Sequence, residues 1–102
     1  MPRPRSHRMI DSEPKVTYFK PRAVPISEIQ EVELQADELE SLRLCDAMKI
    51  NQTESAERMG VSQSTLQRIL TSARRKTAEA IVEGKAIKIH KPQPTPQHNN
   101  DL

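Results

Sequence analysis

Between residues 51 and 83 a single glycine, Gly60, separates two stretches whose apolar side chains recur every three or four positions. That recurrence is the period of a helix. A glycine at its break supplies the positive φ that a sharp helix stop needs. A chain of this kind folds as two helices meeting at a short turn. Asn51 can cap the first, with Glu54 three residues on to reach back to it, and Ser62 can cap the second. The second helix then carries Leu66, Ile69, Leu70, Ala73, Thr77, Ala80 and Ile81 as far as Gly84. At 1.5 Å per residue it is roughly 30 Å long. Ala56 suits the point where the two helices pass closest, and Val61 can tuck from the turn into the core. A helix of about two turns, a glycine turn and a longer helix form the helix-turn-helix pattern.

The remaining segments have to build a core around that unit with few large side chains. The 102 residues allow one domain, and Tyr18 and Phe19 are its only aromatics. A deep, aromatic-lined substrate pocket is excluded on that basis. Residues 1–15 read as a flexible basic arm interrupted by proline, residues 16–90 as the folded domain, and the proline-rich residues 91–102 as a tail without regular structure. Residues 16–19 (VTYF) and 86–89 (AIKI) read as short strands that pair with each other. Pro21 and Pro25 bar a helix before Ser27, which can cap a short turn, and a helix follows from about Ala36 to Met48 with Leu39, Leu42, Cys45 and Met48 on its apolar stripe. Asp37, Glu38 and Glu40 in its first turns suit the helix dipole.

Charge is sorted along the chain. Six Lys/Arg against two Asp/Glu give residues 1–26 a net +4; three against nine give residues 27–62 a net −6; seven against two give residues 63–91 a net +5. Two basic blocks flanking an acidic one call for an anionic partner. On the helical wheel of residues 63–75, Leu66, Ile69, Leu70 and Ala73 fall on one side. Ser64, Arg68, Thr71 and Arg75 centre the other, with Gln63, Gln67 and Arg74 at its flank. No acidic residue lies between Glu57 and Glu79. An ordinary solvated face mixes Glu with Lys; amides, hydroxyls and guanidinium groups without carboxylates match base edges and phosphates.

The segments PRPR, VTYFKP, DELESLRL, SAERMGVSQSTLQRILTSARRK and EGKAIKI together resemble a family of short, uncharacterised prokaryotic proteins of unknown function, whose helix-turn-helix is similar to region four of sigma factors. The resemblance covers about residues 2–90. It implies a mainly α, sigma-region-four-like fold of the winged-helix-like type and a DNA-binding role without a known target. The chain departs from the family at three places: Ser6 and His7 stand near the arm where Cys is common, Gln35 stands where Thr usually caps a helix, and Ser64 replaces a frequent Pro. The second departure implies a weaker cap at Gln35.

The expectation is therefore a sequence-specific DNA-binding protein, a cytoplasmic transcription regulator, whose second helix enters the major groove of double-stranded DNA. Gln63, Ser64, Gln67, Arg68 and Thr71 face the bases, while Arg74, Arg75 and Lys76 meet phosphate; Arg3, Arg5 and Arg8 form an arm suited to the minor groove. Ala78 and Val82 lie off the core stripe and suggest a homodimer built on the second half of this helix. The rival is a protein-interaction adaptor, contacting RNA polymerase or a sigma factor through the acidic segment 28–40. Neither metal nor cofactor is expected, since His7, His90, His98 and Cys45 show no ligand spacing and there is no phosphate-binding glycine loop. No constellation for catalysis is visible, and no apolar run is long enough to cross a membrane.

Overall fold

The computed structural model describes residues 9–10 and 13–92. Among them the chain is mainly helical, with a small sheet laid along one long helix. Strand β1 (Tyr18–Phe19) is followed by a 3-10 turn at Ile26–Glu28, strand β2 (Glu31–Leu34) and helix α1 (Ala36–Ser41). Helices α2 (Gln52–Met59) and α3 (Gln63–Glu83) and strand β3 (Ala86–Ile89) complete it. No described helix is long and apolar enough to cross a membrane.

The stops and caps fall where local chemistry puts them. Gly60 adopts φ 67° and Gly84 φ 69°, ending α2 and α3. The Asn51 side chain accepts the Glu54 N–H at 2.8 Å, and Ser62 Oγ accepts the Thr65 N–H at 3.1 Å. Glu54 does not complete the first box; its carboxylate pairs with Arg58 one turn on. At Gln35 the expected weak cap is corrected. Glu38, at the third helical position, accepts the Gln35 N–H at 2.8 Å, so the box closes without Thr. The turn at Ile26–Glu28 is entered from Pro25 with no side-chain cap, so Ser27 does not play the part expected of it.

One further expectation is corrected, and the expected pair of strands gains a third. The helix starting at Ala36 does not hold one winding to Met48: from Leu42 to Ala47 it is π-helical, and the Met48 N–H donates to the Arg43 carbonyl at 2.8 Å. Wider winding breaks the three-residue stripe, leaving Leu44 buried and Met48 exposed. Segment 31–34 is a strand. Its alternation places Val32 and Leu34 inside and Glu31 and Glu33 outside. The sheet order is β1-β3-β2. Phe19 lies opposite Ile87 in the expected antiparallel pair, and β2 runs parallel to β3 with Leu34 opposite Ile89.

One face of α3 serves two core clusters. Its first half packs Leu66 and Ile69 against Leu44, Ala56 and Met59, with Val61 and Cys45 at the margin. Its middle packs Ala73 against Leu34 and Ile89, with Leu39, Leu42 and Ile87 around them. The opposite face is left free by construction. A helix held on one side by α2 and on the next stretch by the sheet has its orientation fixed over most of its length.

Candidate nucleic-acid interface

Gln63, Ser64, Gln67, Arg68, Thr71, Arg74 and Arg75 are all exposed on α3, on the side away from both clusters. Their surroundings differ. Gln63 Nε2 donates to Thr53 Oγ1 at 3.2 Å and Gln67 Nε2 donates to Gln52 Oε1 at 3.3 Å, so both amides are tied to the start of α2. Ser64 lies with its hydroxyl 3.2 Å from that of Ser62. Arg68 donates to Thr65 Oγ1 at 3.3 Å and pairs with no carboxylate among the described residues. Thr71 lies one turn beyond Gln67.

The three cations assigned to phosphate separate into three situations. Arg75 is the freest, 3.6 Å from Glu79. Arg74 is held by a bidentate pair with Asp46, Nη2 to Oδ1 at 2.7 Å and Nε to Oδ2 at 3.1 Å. The Arg74 hydrogen bonds, set against slight burial, keep the Asp46 carboxyl below its ordinary range, and those bonds raise Arg74 in turn. Lys76 turns inward. Its ammonium donates to Glu38 Oε1 at 2.9 Å and to the Glu33 carbonyl at 2.8 Å, with only 22% of the side chain exposed. Lys76 follows Ser72 by one helical turn, and Ser72 Oγ donates to the other Glu38 oxygen. Both side chains thus meet the start of α1. The expected phosphate contact of Lys76 is replaced by an internal one.

The acidic segment 28–40 is not a continuous outward surface. Glu38 and Glu40 are buried, and Glu40 holds Arg43 at 2.8 Å. Glu31 accepts the Tyr18 hydroxyl at 2.6 Å, which raises the Tyr18 pKa, and Glu33 meets His90 at 2.8 Å. Beyond the face of α3, Ile81, expected on the apolar stripe, is instead 74% exposed, and Val82 is 80% exposed. With Phe19, Pro21 and Ile87, Ile81 borders a shallow groove of about 330 Å³. Among the described residues no three His, Cys, Asp or Glu side chains converge as metal ligands. Arg3, Arg5 and Arg8 lie outside the described residues; the first described one, Met9, donates its N–H to the Met59 carbonyl beside the turn. Gln52, Thr53 and Asp46 escaped sequence reasoning. A wheel of α2 would have found the first two, but Asp46 meets Arg74 only through tertiary packing.

Comparison with known proteins gives a family and no activity. The family described as "Protein of unknown function DUF134" matches residues 1–93. A UPF0251 protein of Caldanaerobacter subterraneus subsp. tengcongensis is 52% identical over 89 residues, 87% of this chain and 75% of the relative. One from Moorella thermoacetica is 53% identical over 89 residues, again 87% of this chain and 60% of the relative. One from Dehalococcoides mccartyi is 46% identical over 89 residues, with 87% and 76% covered. No solved structure matches the chain.

Proposed function

We propose a function for this chain, which belongs to the DUF134 family of proteins of unknown function: it is a sequence-specific DNA-binding protein, a cytoplasmic transcription regulator that lays the first half of α3 in the major groove. The observation that carries the reading is the exposed face of α3, where amides, hydroxyls and arginines stand together with no carboxylate of the same helix before Glu79. A groove 12 Å wide, to order of magnitude, admits one helix and offers the acceptors and donors these groups match. Beyond the turn at Gly60, Gln63 and Gln67 of this face reach Thr53 and Gln52 at the start of α2, the helix pairing of helix-turn-helix readers. The burial of Glu38 and Glu40 speaks against an adaptor that uses the acidic segment.

Selection from a random duplex pool tests the reading by returning a preferred site. On that site Arg68→Ala is expected to cost roughly 1–3 kcal/mol and to relax the choice at one base pair, whereas Arg75→Ala weakens all sequences alike. Unchanged affinity and preference in Arg68→Ala would place the DNA on another face.

A single helix reads only a few base pairs, so we also propose that two copies act together. Ile81, Val82 and the groove beside Phe19 supply an apolar surface that a second copy would cover. A two-fold interface buries the same patch from both copies, so charges already neutralised within the chain favour it. Lys85, next to this surface, is already bound by Glu79 at 2.6 Å and Glu83 at 3.1 Å. Val82→Glu is expected to give a monomer of unchanged helicity and reduced specific affinity. Sedimentation that finds the unmodified protein monomeric, free and on DNA, rejects the dimer.

A further inference from the structure

We infer that Gln52, the first residue of α2, is a positioning residue that makes Gln67 select adenine; the inference rests on the DNA-binding reading above. A glutamine amide is ambivalent. It offers donors at nitrogen and an acceptor at oxygen, and a half-turn of the amide exchanges the two. Free in a groove, it can donate to guanine O6 or N7 as well as pair with adenine. Gln67 is not free in this way. Its Nε2 donates to Gln52 Oε1 at 3.3 Å, and Gln52 is half-buried at the helix junction. In this geometry Gln52 presents its oxygen, which accepts, so the nitrogen end of the Gln67 amide is the one held against α2.

That tether uses one of the two Nε2 hydrogens. When the tether takes the hydrogen trans to Oε1, the second hydrogen and Oε1 remain side by side in the amide plane. One donor beside one acceptor is the complement of adenine, whose major-groove edge shows N7 as acceptor next to the N6 amino donor. Guanine shows two adjacent acceptors and leaves Gln67 Oε1 facing one of them. Holding the amide before DNA arrives also lowers the rotamer entropy lost on binding.

The test is selection from a random duplex pool with the full chain and its Gln67→Ala, Gln52→Ala and Gln52→Glu variants. Gln67→Ala identifies the base pair read by that side chain as the position whose preference it erases. At this position the unmodified protein is expected to favour adenine by about tenfold or more. Gln52→Ala is expected to reduce that preference to about threefold or less, leaving the profile at the other positions in place. Gln52→Glu, which keeps an acceptor for Nε2, is expected to restore it. A merely structural loss in α2 would instead flatten all positions together, and that outcome overturns the inference. So does a base other than adenine at the Gln67 position, an intact preference in Gln52→Ala, or a Gln67→Ala profile identical to the unmodified one. A pool from which no duplex is enriched overturns the DNA-binding reading and this inference with it.

Discussion

Replacing Glu38 by alanine is expected to lower stability by about 2–4 kcal/mol, a large part of the roughly 5–15 kcal/mol that a domain of this size possesses. Glu38 is 6% exposed, and its carboxylate accepts from the Gln35 N–H, the Lys76 ammonium and the Ser72 hydroxyl. Truncation removes the cap of α1 and leaves Lys76 on the Glu33 carbonyl alone. The cost stays below that of a fully buried ion pair because Lys76 keeps some access to water. The thermal midpoint should fall by at least about 10 °C. Glu38→Gln retains an acceptor for the cap but loses the charge, and should cost about half as much. Burial alone would raise the Glu38 pKa, but the hydrogen bonds from Lys76, Ser72 and the Gln35 N–H, with the Lys76 charge, bring it below the ordinary value. A depressed folded pKa means that the stabilisation is complete above the unfolded value, about 4.3, and lost as pH falls through the folded one. The gap between the unmodified protein and Glu38→Gln should therefore be full at neutral pH and close as the pH falls through the lowered folded pKa. A gap that is the same at all pH values would show that charge has no part in this junction.

What could be read without the structure was whatever depends on neighbours in sequence. Ser62, Gly60 and Gly84 bound α3 and its turn because caps and positive φ are local requirements. Leu66, Ile69 and Ala73 reached the core because a 3.6-residue period leaves one face for packing. The pairing of segment 16–19 with 86–89 followed from two short runs of strand-forming residues, although only Tyr18–Phe19 of the first is strand. Strand β2 was missed for a physical reason. Glu31-Val32-Glu33-Leu34 shows only two periods of alternation, and its partner is parallel and more than fifty residues away. Its glutamates Glu31 and Glu33 are acidic surface because they are the outward positions of that strand. The π-helical winding after Ser41 had no local marker, so Met48 was assigned to a stripe that the backbone does not continue. On α3 the wheel separated core from free face, but it could not know that Glu38 waits beside Lys76. Nor could it know that Asp46 reaches Arg74 from twenty-eight positions away.

Those two tertiary contacts set the expected salt response of DNA binding. With Lys76 engaged internally, Arg74 and Arg75 are the α3 cations left to meet phosphate, and Arg68 enters the groove beside them, so about three positive charges per copy displace counterions. Two copies then release about six counterions, a log–log slope near −5 and a loss of about 10³ in affinity between 50 and 200 mM salt. One copy gives a slope near −3 and a loss of only about fortyfold, so the slope measures how many copies bind. Arg74 contributes only when phosphate displaces Asp46, whose carboxyl is held ionised by that same arginine and does not release it near neutral pH. Asp46→Asn removes the competitor. It is expected to raise affinity for every duplex by about three- to tenfold and to steepen the slope, with base preference unchanged. If Asp46→Asn binds as the unmodified protein does, Arg74 does not meet DNA, and the phosphate track runs past Arg75 alone. A flat salt response in both proteins would remove DNA as the partner of this face and favour the protein-interaction adaptor.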